Sequence, residues 1–391
     1  DPEASHVYPS LSSRLASRRM AASHPNPMQL SKRGSSTYIR GFYLTDDDES
    51  VSISADWSSG ELVLIGDMSG DPEFRKVFGQ LPYGDLHSGA AADGLAVKHH
   101  PGLTIEEFSQ FKFGNNPNNR RLVHPTTGAE LDPKTFFKVA RTDVGKAGNF
   151  NYFYSGALST VGTVLGWTSE QMWEAVDRYR QRFAVAEEWR VNLQQEAVEN
   201  GFVTLPDGHR RMRPEATIEW FGEMRAKMLS LNATQGMENF ADLALRRIQS
   251  RAKNQIVNSM IQGTCATLAK RSILRLQQLV KEAGIEHWVR FILPVHDELI
   301  FSVHKSVVLK FIPLLRKAMT EHPTIMKTLP LDCTVAIGRT FEPFDFANPK
   351  RTQIELDEAF VIDGVIGKEF EGKALNDNQI ESVLDYIFSE A

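Results

Sequence analysis

Two parts of the chain have the patterns of apolar and polar residues that are typical of short strands. Residues 51–56 (VSISAD) alternate between apolar and polar residues and end on an acid, and residues 289–303 (VRFILPVHDELIFSV) form two apolar runs around a polar corner. Alternation over short runs predicts β-strands. We therefore expect one strand that ends at Asp56 and two strands joined by a corner that holds His296, Asp297 and Glu298.

Most of the remaining chain has apolar residues at helical spacing. The pattern predicts helices after Glu61, over residues 136–201 and 236–283, and near the C terminus at Ile380, Val383, Leu384, Ile387 and Phe388. Residues 1–37 and 98–135 are rich in Ser, Pro, Gly and Asn, so we expect loops there, the second as an irregular insertion. Helices segregated from a small antiparallel sheet indicate an α+β fold.

Composition and charge narrow the class of protein. The 391 residues carry a net charge of −5, which excludes a nucleic-acid-binding protein whose whole surface is basic. Any site for a polyanion must therefore be a local cluster of basic residues. Residues 347–391 hold ten acidic and four basic side chains, so the acidity is concentrated in this tail. The two cysteines, Cys265 and Cys333, predict no disulfide framework. With no apolar run of about 18 residues, we expect a cytoplasmic protein without a membrane partner.

The acids of the predicted strands suggest a metal site. Asp56 ends one apolar strand, and Asp297 and Glu298 lie between two others. Carboxylates on short strands suit Mg²⁺, which takes one or two of them together with substrate phosphates. Two such ions about 4 Å apart can promote phosphoryl transfer. Taken alone, however, a short HDE motif is more often an ordinary polar turn.

Two helical stripes carry further candidates. Lys146, Phe150 and Tyr154 are spaced i, i+4, i+8, so one helix face presents a cation and two aromatic rings, which can hold a triphosphate and stack on a base. Asn258 and Gln262 share another face and can bond base edges in the minor groove. A core aromatic stripe with a snorkelling lysine and a solvated polar face are the alternative interpretations.

Together these segments resemble the family A DNA polymerases, the bacterial polymerase I and phage replicative type. SADWSSGELVLIG, KAGNFNYFYSG and LPVHDELIF resemble motifs A, B and C of the family. Four further segments, NSMIQGTCATLAK, GFVTLPDGHRRMRP, RRMAASHPNPMQ and DLHSGAA, resemble other family motifs in the family's order. The resemblance covers about residues 19–346, and the divergent motifs favour a phage-like member.

The resemblance implies a right-hand polymerase fold. Residues 1–65 would be the N-terminal part of the palm with motif A, and residues 66–235 the helical fingers with an insertion near 97–140 and motif B at 141–156. Residues 236–346 would complete the palm with motif C, and residues 347–391 would be an acidic C-terminal extension. On this resemblance we expect a thumb and an exonuclease to be absent from this chain. We expect a longer chain or a partner polypeptide to supply them.

The resemblance also implies residue roles. Asp56 and Asp297, with the Trp57 carbonyl, would hold two Mg²⁺ ions, for which Mn²⁺ is a substitute, and Glu298 and Lys146 would support catalysis. Deoxynucleoside triphosphate would be bound by Glu61, His87, Arg141, Lys146, Phe150 and Tyr154. Primer–template DNA would be bound by Arg19, Asn26, Gln29, Asn258, Gln262 and His296.

Some positions depart from the family pattern. The family has a basic residue four positions before the motif B lysine, but here that position is Thr142 and Arg141 lies five before Lys146. In a regular α-helix five residues turn the side chain about 140° away, so Arg141 can join Lys146 only if the helix is locally distorted. Asn254 replaces the arginine that the family has four positions before Asn258.

The predicted activity is template-directed addition of deoxynucleotides to a primer 3′ end. A single-subunit RNA polymerase shares this chemistry, but Glu61 and the acidic third residue of HDE argue against it. A catalytically inactive DNA-binding subunit is the second alternative. The presence of both Asp56 and Asp297 argues against this alternative, because two carboxylates at an inactive site would cost desolvation free energy without serving catalysis.

Overall fold

The computed structural model describes residues 7–13, 15, 17–30, 32, 36–230, 235–345, 347–356 and 376–389. Its strands, in chain order, are β1 Ser10–Ser12, β2 Ala21–Ser23, β3 Ser50–Trp57, β4 Phe202–Thr204, β5 Arg210–Met212, β6 Val289–Val295, β7 Glu298–His304, β8 Cys333–Gly338 and β9 Ile354–Glu355.

The helices, in the same order, are α1 Gly60–Ser69, α2 Pro72–Phe78, α3 Leu86–Ala96, α4 Ile105–Phe111, α5 Pro133–Ala140, α6 Ala147–Ser155, α7 Ser159–Leu165, α8 Ser169–Arg182, α9 Ala184–Asn200, α10 Ile218–Leu229, α11 Gln235–Glu282, α12 Val308–Thr320 and α13 Asp377–Phe388. A π-helical turn, Arg141–Lys146, joins α5 to α6. The expected mixture of helices with a small antiparallel sheet is confirmed.

Contacts divide the chain into two compact units. The first unit contains residues 1–64 and 261–391, and the second contains residues 65–260. The first division falls beside the predicted boundary at 65. The second lies inside the long helix α11 rather than at 235. The assignment of these segments to palm and fingers stays a prediction.

A five-stranded antiparallel sheet forms the centre of the first unit. Its strand order is β6-β7-β3-β8-β9. Because successive residues of β3 point to opposite faces, Val51, Ile53 and Ala55 share a buried apolar face with Trp57. The indole nitrogen of Trp57 donates a hydrogen bond to the Met319 carbonyl of α12. Asp56 therefore projects from the opposite face.

The predicted strand at 51–56 and the predicted hairpin are both confirmed. β6 and β7 pair antiparallel and enclose a corner of two residues, His296 and Asp297. His296 adopts a positive φ of 57°, which non-glycine residues adopt rarely and chiefly in tight turns. Glu298 is the first residue of β7 rather than part of the corner.

The second unit is mainly helical, as expected for residues 136–201. Left-handed residues Gly156 and Gly166 end α6 and α7. The irregular insertion expected at 98–135 is wrong in one part, because α4 forms there. The Thr104 hydroxyl accepts from the Glu107 amide at its start, and Phe108 is fully buried. An N-cap and buried aromatic residues stabilise a short helix despite its polar surroundings.

Both chain ends contain more structure than loops alone. The loop expected at 1–37 is wrong for β1 and β2, which pair as a short hairpin. The C-terminal helix is confirmed as α13, which buries Ile380, Val383, Leu384 and Ile387. Asn376 caps this helix by accepting from the Gln379 amide. Residues 357–375 of the acidic extension lie outside the described residues.

Candidate active site

Two aspartates of the first unit line one cavity. Asp56 lies near the end of β3, directly across from Glu298 of β7, and Asp297 immediately precedes Glu298. The cavity measures about 400 Å³, and its walls include Asp56, Asp297, Gln29 and His296. Sheet register therefore brings together two carboxylates that lie far apart in sequence.

Glu298 has a different environment from the two aspartates. Its side chain is 4% exposed, and its carboxylate lies 3.6 Å from Nη1 of Arg40 and 3.2 Å from Nζ of Lys32. Arg40 is itself buried and donates two hydrogen bonds to the Leu30 carbonyl. Glu298 is therefore held in a buried ion pair, whereas Asp56 and Asp297 remain about one third to two fifths exposed.

Each of the two aspartates faces a cationic side chain. Arg19 Nη2 donates to Glu61 at 2.6 Å and to Asp297 at 3.4 Å. Lys32 Nζ lies 3.7 Å from Asp56. Arg19, a predicted DNA-binding residue, and Glu61, a predicted nucleotide-binding residue, are thus direct partners. The carboxylates of Asp56, Glu61 and Asp297 thus attract positive charge, because a cation close to them is stabilised by Coulomb attraction.

The donor set fits Mg²⁺ as the resemblance implies. Two half-exposed carboxylates from adjacent strands line the same cavity, which matches an ion that takes few protein oxygens and keeps its remaining positions for water and substrate. Among the described residues, no group of three or more His, Cys, Asp or Glu side chains is arranged to hold a metal ion. The Trp57 carbonyl as a further ligand stays a prediction.

The predicted aromatic stripe of the second unit forms a stack. The Lys146 ammonium lies 5.9 Å from the centroid of the Phe150 ring. The Phe150 and Tyr154 rings are stacked, with centroids 5.9 Å apart and planes 22° apart. The three side chains therefore share one helix face, as the i, i+4, i+8 spacing predicts.

The π-helical turn changes the position of Arg141. Hydrogen bonds in a π-helix join residues five apart rather than four, so Arg141 becomes the axial neighbour of Lys146. Arg141 Nε donates to Asp85 at 2.8 Å. Burial would raise the pKa of Asp85, but the hydrogen bonds from Arg141 and Ser88 outweigh it and the pKa is lowered. The helix is thus distorted in the way that alignment of Arg141 requires.

His87 lies between these charges as a neutral imidazole. Burial, followed by the positive charge of Arg141, lowers the pKa of His87 to about 4. Nδ2 of the fully buried Asn149 donates to His87 Nδ1 at 3.0 Å, and Asn149 Oδ1 accepts from the Tyr179 hydroxyl at 3.2 Å. Because Nδ1 accepts, the imidazole proton is on Nε2.

The other predicted DNA contacts fall in both units. Asn26 and Gln29 lie at a short 3₁₀ turn, where Asn26 Oδ1 accepts from the Met28 amide. Gln29 and His296 are exposed and line the cavity of the aspartates. Asn258 lies in the second unit and Gln262 in the first, both on α11.

Sequence reasoning missed four residues of these sites. Lys32 and Arg40 pair with the strand acids, and Asp85 and Asn149 hold Arg141 and His87. Asp85 could have been found from the sequence, because it is the first residue of DLHSGAA and an Asp just before a helix is a typical N-cap. In the structure its carboxylate accepts hydrogen bonds from the His87 and Ser88 amides. Arg40 had none, since its partner lies 258 positions away.

Comparisons with known proteins agree on one family. The profile of DNA polymerase family A matches residues 118–343. DNA polymerase I of Synechocystis sp. is 24% identical over 309 residues, covering 78% of this chain and 26% of that protein. The thermostable DNA polymerase I of Thermus filiformis is 22% identical, covering 83% of this chain and 31% of that protein. This chain therefore spans about a quarter to a third of the length of these relatives.

A solved structure resembles the fold. The POL domain of Pol1 from M. smegmatis, in complex with DNA primer-template and dNTP, superposes with a TM-score of 0.63 at 20% sequence identity. The match covers 86% of this chain and 48% of that one. In the part of this chain that the structure describes, no helix has the apolar length needed to cross a bilayer.

Proposed function

This chain belongs to DNA polymerase family A, and on that premise we propose that it adds deoxynucleotides to the 3′ end of a primer under the direction of a template. The observation that carries the proposal is the cavity that Asp56 and Asp297 line from adjacent strands. Two partly exposed carboxylates beside an open cavity are what phosphoryl transfer with divalent ions requires.

Asp56 and Asp297 would hold two divalent ions in this cavity. When bound, Mg²⁺, or Mn²⁺ in its place, supplies a lower pKa for the primer hydroxyl and neutralises charge on the departing pyrophosphate. Glu298 supports the site through its buried pair with Arg40, which holds the start of β7 in place. Arg19 orients Glu61 and Asp297 by bonding both carboxylates.

The residues around the π-helical turn would bind the incoming triphosphate. Arg141 and Lys146 supply positive charge, and His87 supplies a neutral N–H donor from Nε2. A neutral donor binds phosphate oxygen through a hydrogen bond whose strength does not change with pH above the imidazole pKa. The stacked rings of Phe150 and Tyr154 offer a flat surface for a base and sugar.

Primer–template DNA and deoxynucleoside triphosphates are the proposed partners. The chain spans only part of its relatives, and we propose that a thumb from a longer chain or from a partner polypeptide is needed for long extension. The phage-like assignment stays a prediction. If the purified chain alone extended a primer over long stretches, the need for such a partner would be contradicted.

The central test is a charge-removing substitution at one aspartate. Asp297→Asn should reduce single-nucleotide addition by about 10³-fold or more while primer–template binding persists, because electrostatic stabilisation at the reacting phosphate is lost. Asp48→Asn is the matched control, since Asp48 is a fully exposed aspartate of the same unit. Undiminished addition by the Asp297 variant would overturn the metal assignment.

The choice of nucleotide separates the proposed function from its closest alternative. Ribonucleotides and deoxyribonucleotides offered side by side should give deoxynucleotide addition only, because Glu61 beside the sugar would exclude a 2′-hydroxyl. Equal use of both would favour a single-subunit RNA polymerase. Binding of DNA with no addition of either, in the presence of Mg²⁺ or Mn²⁺, would favour an inactive DNA-binding subunit.

A further inference from the structure

A groove runs along one face of α9 in the second unit. Its cavity measures about 390 Å³, and Ser69, the last residue of α1, forms part of its wall. The rest of the wall comes from α9: Val185, Glu188, Trp189, Asn192, Leu193 and Glu196. This set shares no residue with the cavity of the aspartates or with the residues proposed to bind the triphosphate.

The groove has the residue spacing of a helix-packing surface. Val185, Trp189, Asn192 and Glu196 are separated by four, three and four positions, so they form one stripe along α9. A stripe with this alternation is what a second helix packs against in a coiled coil. The stripe is open to solvent, because Val185 is 40% exposed and Asn192 is exposed as well.

Trp189 gives the groove an apolar anchor. It is partly buried and packs against a core cluster that includes Ala197, Val203 and Ile256, while it also lines the groove. Leu193 belongs to the same cluster and also lines the groove. A tryptophan that is held by packing on one side and reaches a cavity on the other is typical of the few residues that dominate binding at an interface.

The charge of the groove is negative. Glu188 and Glu196 line it, and neither makes an ion pair or a hydrogen bond with any residue that the structure describes. By contrast, Glu187 on the same helix accepts two hydrogen bonds from Arg190. α1 ends at Ser69 without a basic residue in its last turn, and the carbonyl end of a helix carries partial negative charge. The groove therefore repels phosphate groups and attracts cations.

We propose that this groove binds an amphipathic helix of a partner protein, one that carries basic residues beside its apolar stripe. Apolar residues of that helix would contact Val185, Trp189 and Leu193, which is the usual way in which a helix binds in a groove. Lysine or arginine residues at its edge would pair with the two free glutamates. The inference goes beyond the proposed function, because it gives the second unit a protein partner.

The separation of the two glutamates favours a helix over an extended segment. Glu188 and Glu196 are eight positions apart on α9, which corresponds to about 12 Å along the helix axis. On a helix packed alongside, two basic residues about eight positions apart match this separation. In an extended segment they would have to be about four positions apart.

The experiment measures binding of a synthetic helix to the full chain by fluorescence anisotropy. The probe has about 16 residues, with leucines at spacings of three and four and two lysines eight positions apart. It should bind the parent chain, and Glu188→Gln and Glu196→Gln should each weaken binding about two- to fivefold, because one partly exposed ion pair is lost. No binding to the parent chain, or equal binding to both variants, would overturn the proposal.

Two altered probes test the chemistry of the occupant. A probe with glutamates in place of the two lysines should bind at least about tenfold more weakly, because like charges then face each other. A probe with a proline at its centre cannot remain a regular helix and should also bind more weakly. If the acidic probe bound as well as the basic one, the assigned charge would be wrong. Equal binding of the proline probe would exclude a helix as the occupant.

Glu223→Gln is the matched control for charge. Glu223 is an exposed glutamate of α10 in the same unit, and it does not line the groove. Its substitution should leave the affinity for the basic probe unchanged. An equal loss of affinity would show general attraction between a basic peptide and a negatively charged chain, and the groove would not be a specific site.

Sedimentation of the chain separates a partner protein from a second copy. The parent chain should sediment as a monomer at micromolar concentration. If it formed a dimer that the Glu188→Gln/Glu196→Gln double variant did not form, the occupant would be a second copy and the partner assignment would be overturned. Single-nucleotide addition should be the same in the parent chain and in the double variant, because neither glutamate belongs to the proposed polymerase site.

Discussion

Arg141 and Lys146 lie five residues apart on one π-helical turn, and both of their charges act on the imidazole of His87. Burial lowers the pKa of His87 first, and the two cations lower it further. In a regular α-helix Arg141 would point away from Lys146. The π-helical turn thus gives the second unit a cationic pair beside a neutral hydrogen-bond donor, which is the arrangement we propose for the triphosphate.

The π-helical turn depends on Gly145. A Cβ atom at this position would overlap the carbonyl oxygen of His87 on α3. Gly145→Ala should therefore lower the free energy of unfolding by about 1–3 kcal/mol, as overpacking does, and should weaken triphosphate binding because Arg141 and His87 move. Chemical denaturation and nucleotide titration measure the two effects.

Gly222→Ala provides the control for that substitution. Gly222 lies inside α10, and a Cβ atom there would meet nothing within 4 Å. This change should stabilise the protein by about 0.5–1 kcal/mol through helix propensity. If Gly145→Ala were equally harmless, close packing of the turn against α3 would not be what requires the glycine.

Asn149 determines which nitrogen of His87 carries the proton. Asn149→Asp replaces the amide donor with a carboxylate acceptor, which should move the proton to Nδ1 and raise the pKa of His87 above about 4. Nitrogen-15 NMR of the imidazole across a pH titration reads both changes directly. Tyr179→Phe removes only the hydroxyl at the far side of Asn149, so it should preserve the Nε2 tautomer. A Nδ1-protonated ring in the parent chain would contradict this assignment.

The buried pair between Glu298 and Arg40 should contribute to stability more than to chemistry. Glu298→Gln leaves the 2%-exposed Arg40 without its counter-charge, which should lower the free energy of unfolding by about 3 kcal/mol. Glu49→Gln removes the exposed partner of Lys305 and should cost less than about 1 kcal/mol. Adding Arg40→Met to Glu298→Gln should recover part of the lost stability. Urea denaturation of the single and double variants measures these free energies. If the two substitutions changed the free energy of unfolding additively, the two residues would not interact.

Three buried histidines should make the fold sensitive to acid. Burial, followed by nearby arginine charges, lowers the pKa of His87, His100 and His322 to about 4 in the folded chain. The unfolded chain takes up these protons near pH 6.5, so between pH 6.5 and 4 the unfolded state holds more protons. Stability should therefore fall as the pH falls through this window, by up to about 1.4 kcal/mol per pH unit for each histidine.

Denaturation at a series of pH values measures that slope. His322→Gln should reduce this slope by the contribution of one proton, because the ring is hydrogen-bonded to the Ser272 hydroxyl at 3.0 Å and has no acidic neighbour at hydrogen-bond distance among the described residues. A stability that is constant from pH 6.5 to 4 would show that the three rings are protonated in the folded chain as readily as in the unfolded one.

Local patterns were sufficient to predict only part of the elements, and β8, α3 and α12 were among those not predicted. The alternation at residues 51–56 predicted β3, two apolar runs around a polar corner predicted the β6–β7 hairpin, and the helical period predicted α1, α11 and α13. The same patterns missed α4, because its start depends on a single N-cap at Thr104 and its stability on burial of Phe108. They also missed the β1–β2 hairpin, since strands of three residues are too short to show a period.

By itself the sequence determined where β3, the β6–β7 hairpin, α1, α11 and α13 lie and which residue types occupy their ends, because both depend on neighbours within a few positions. Only the tertiary structure decided that Asp56 faces Glu298, that Arg40 neutralises this glutamate, and that a π-helical turn aligns Arg141 with Lys146. These relationships depend on sheet register and on backbone packing between distant segments. Sheet register and long-range packing produce no periodic pattern in the sequence, because both depend on burial and pairing across the whole unit.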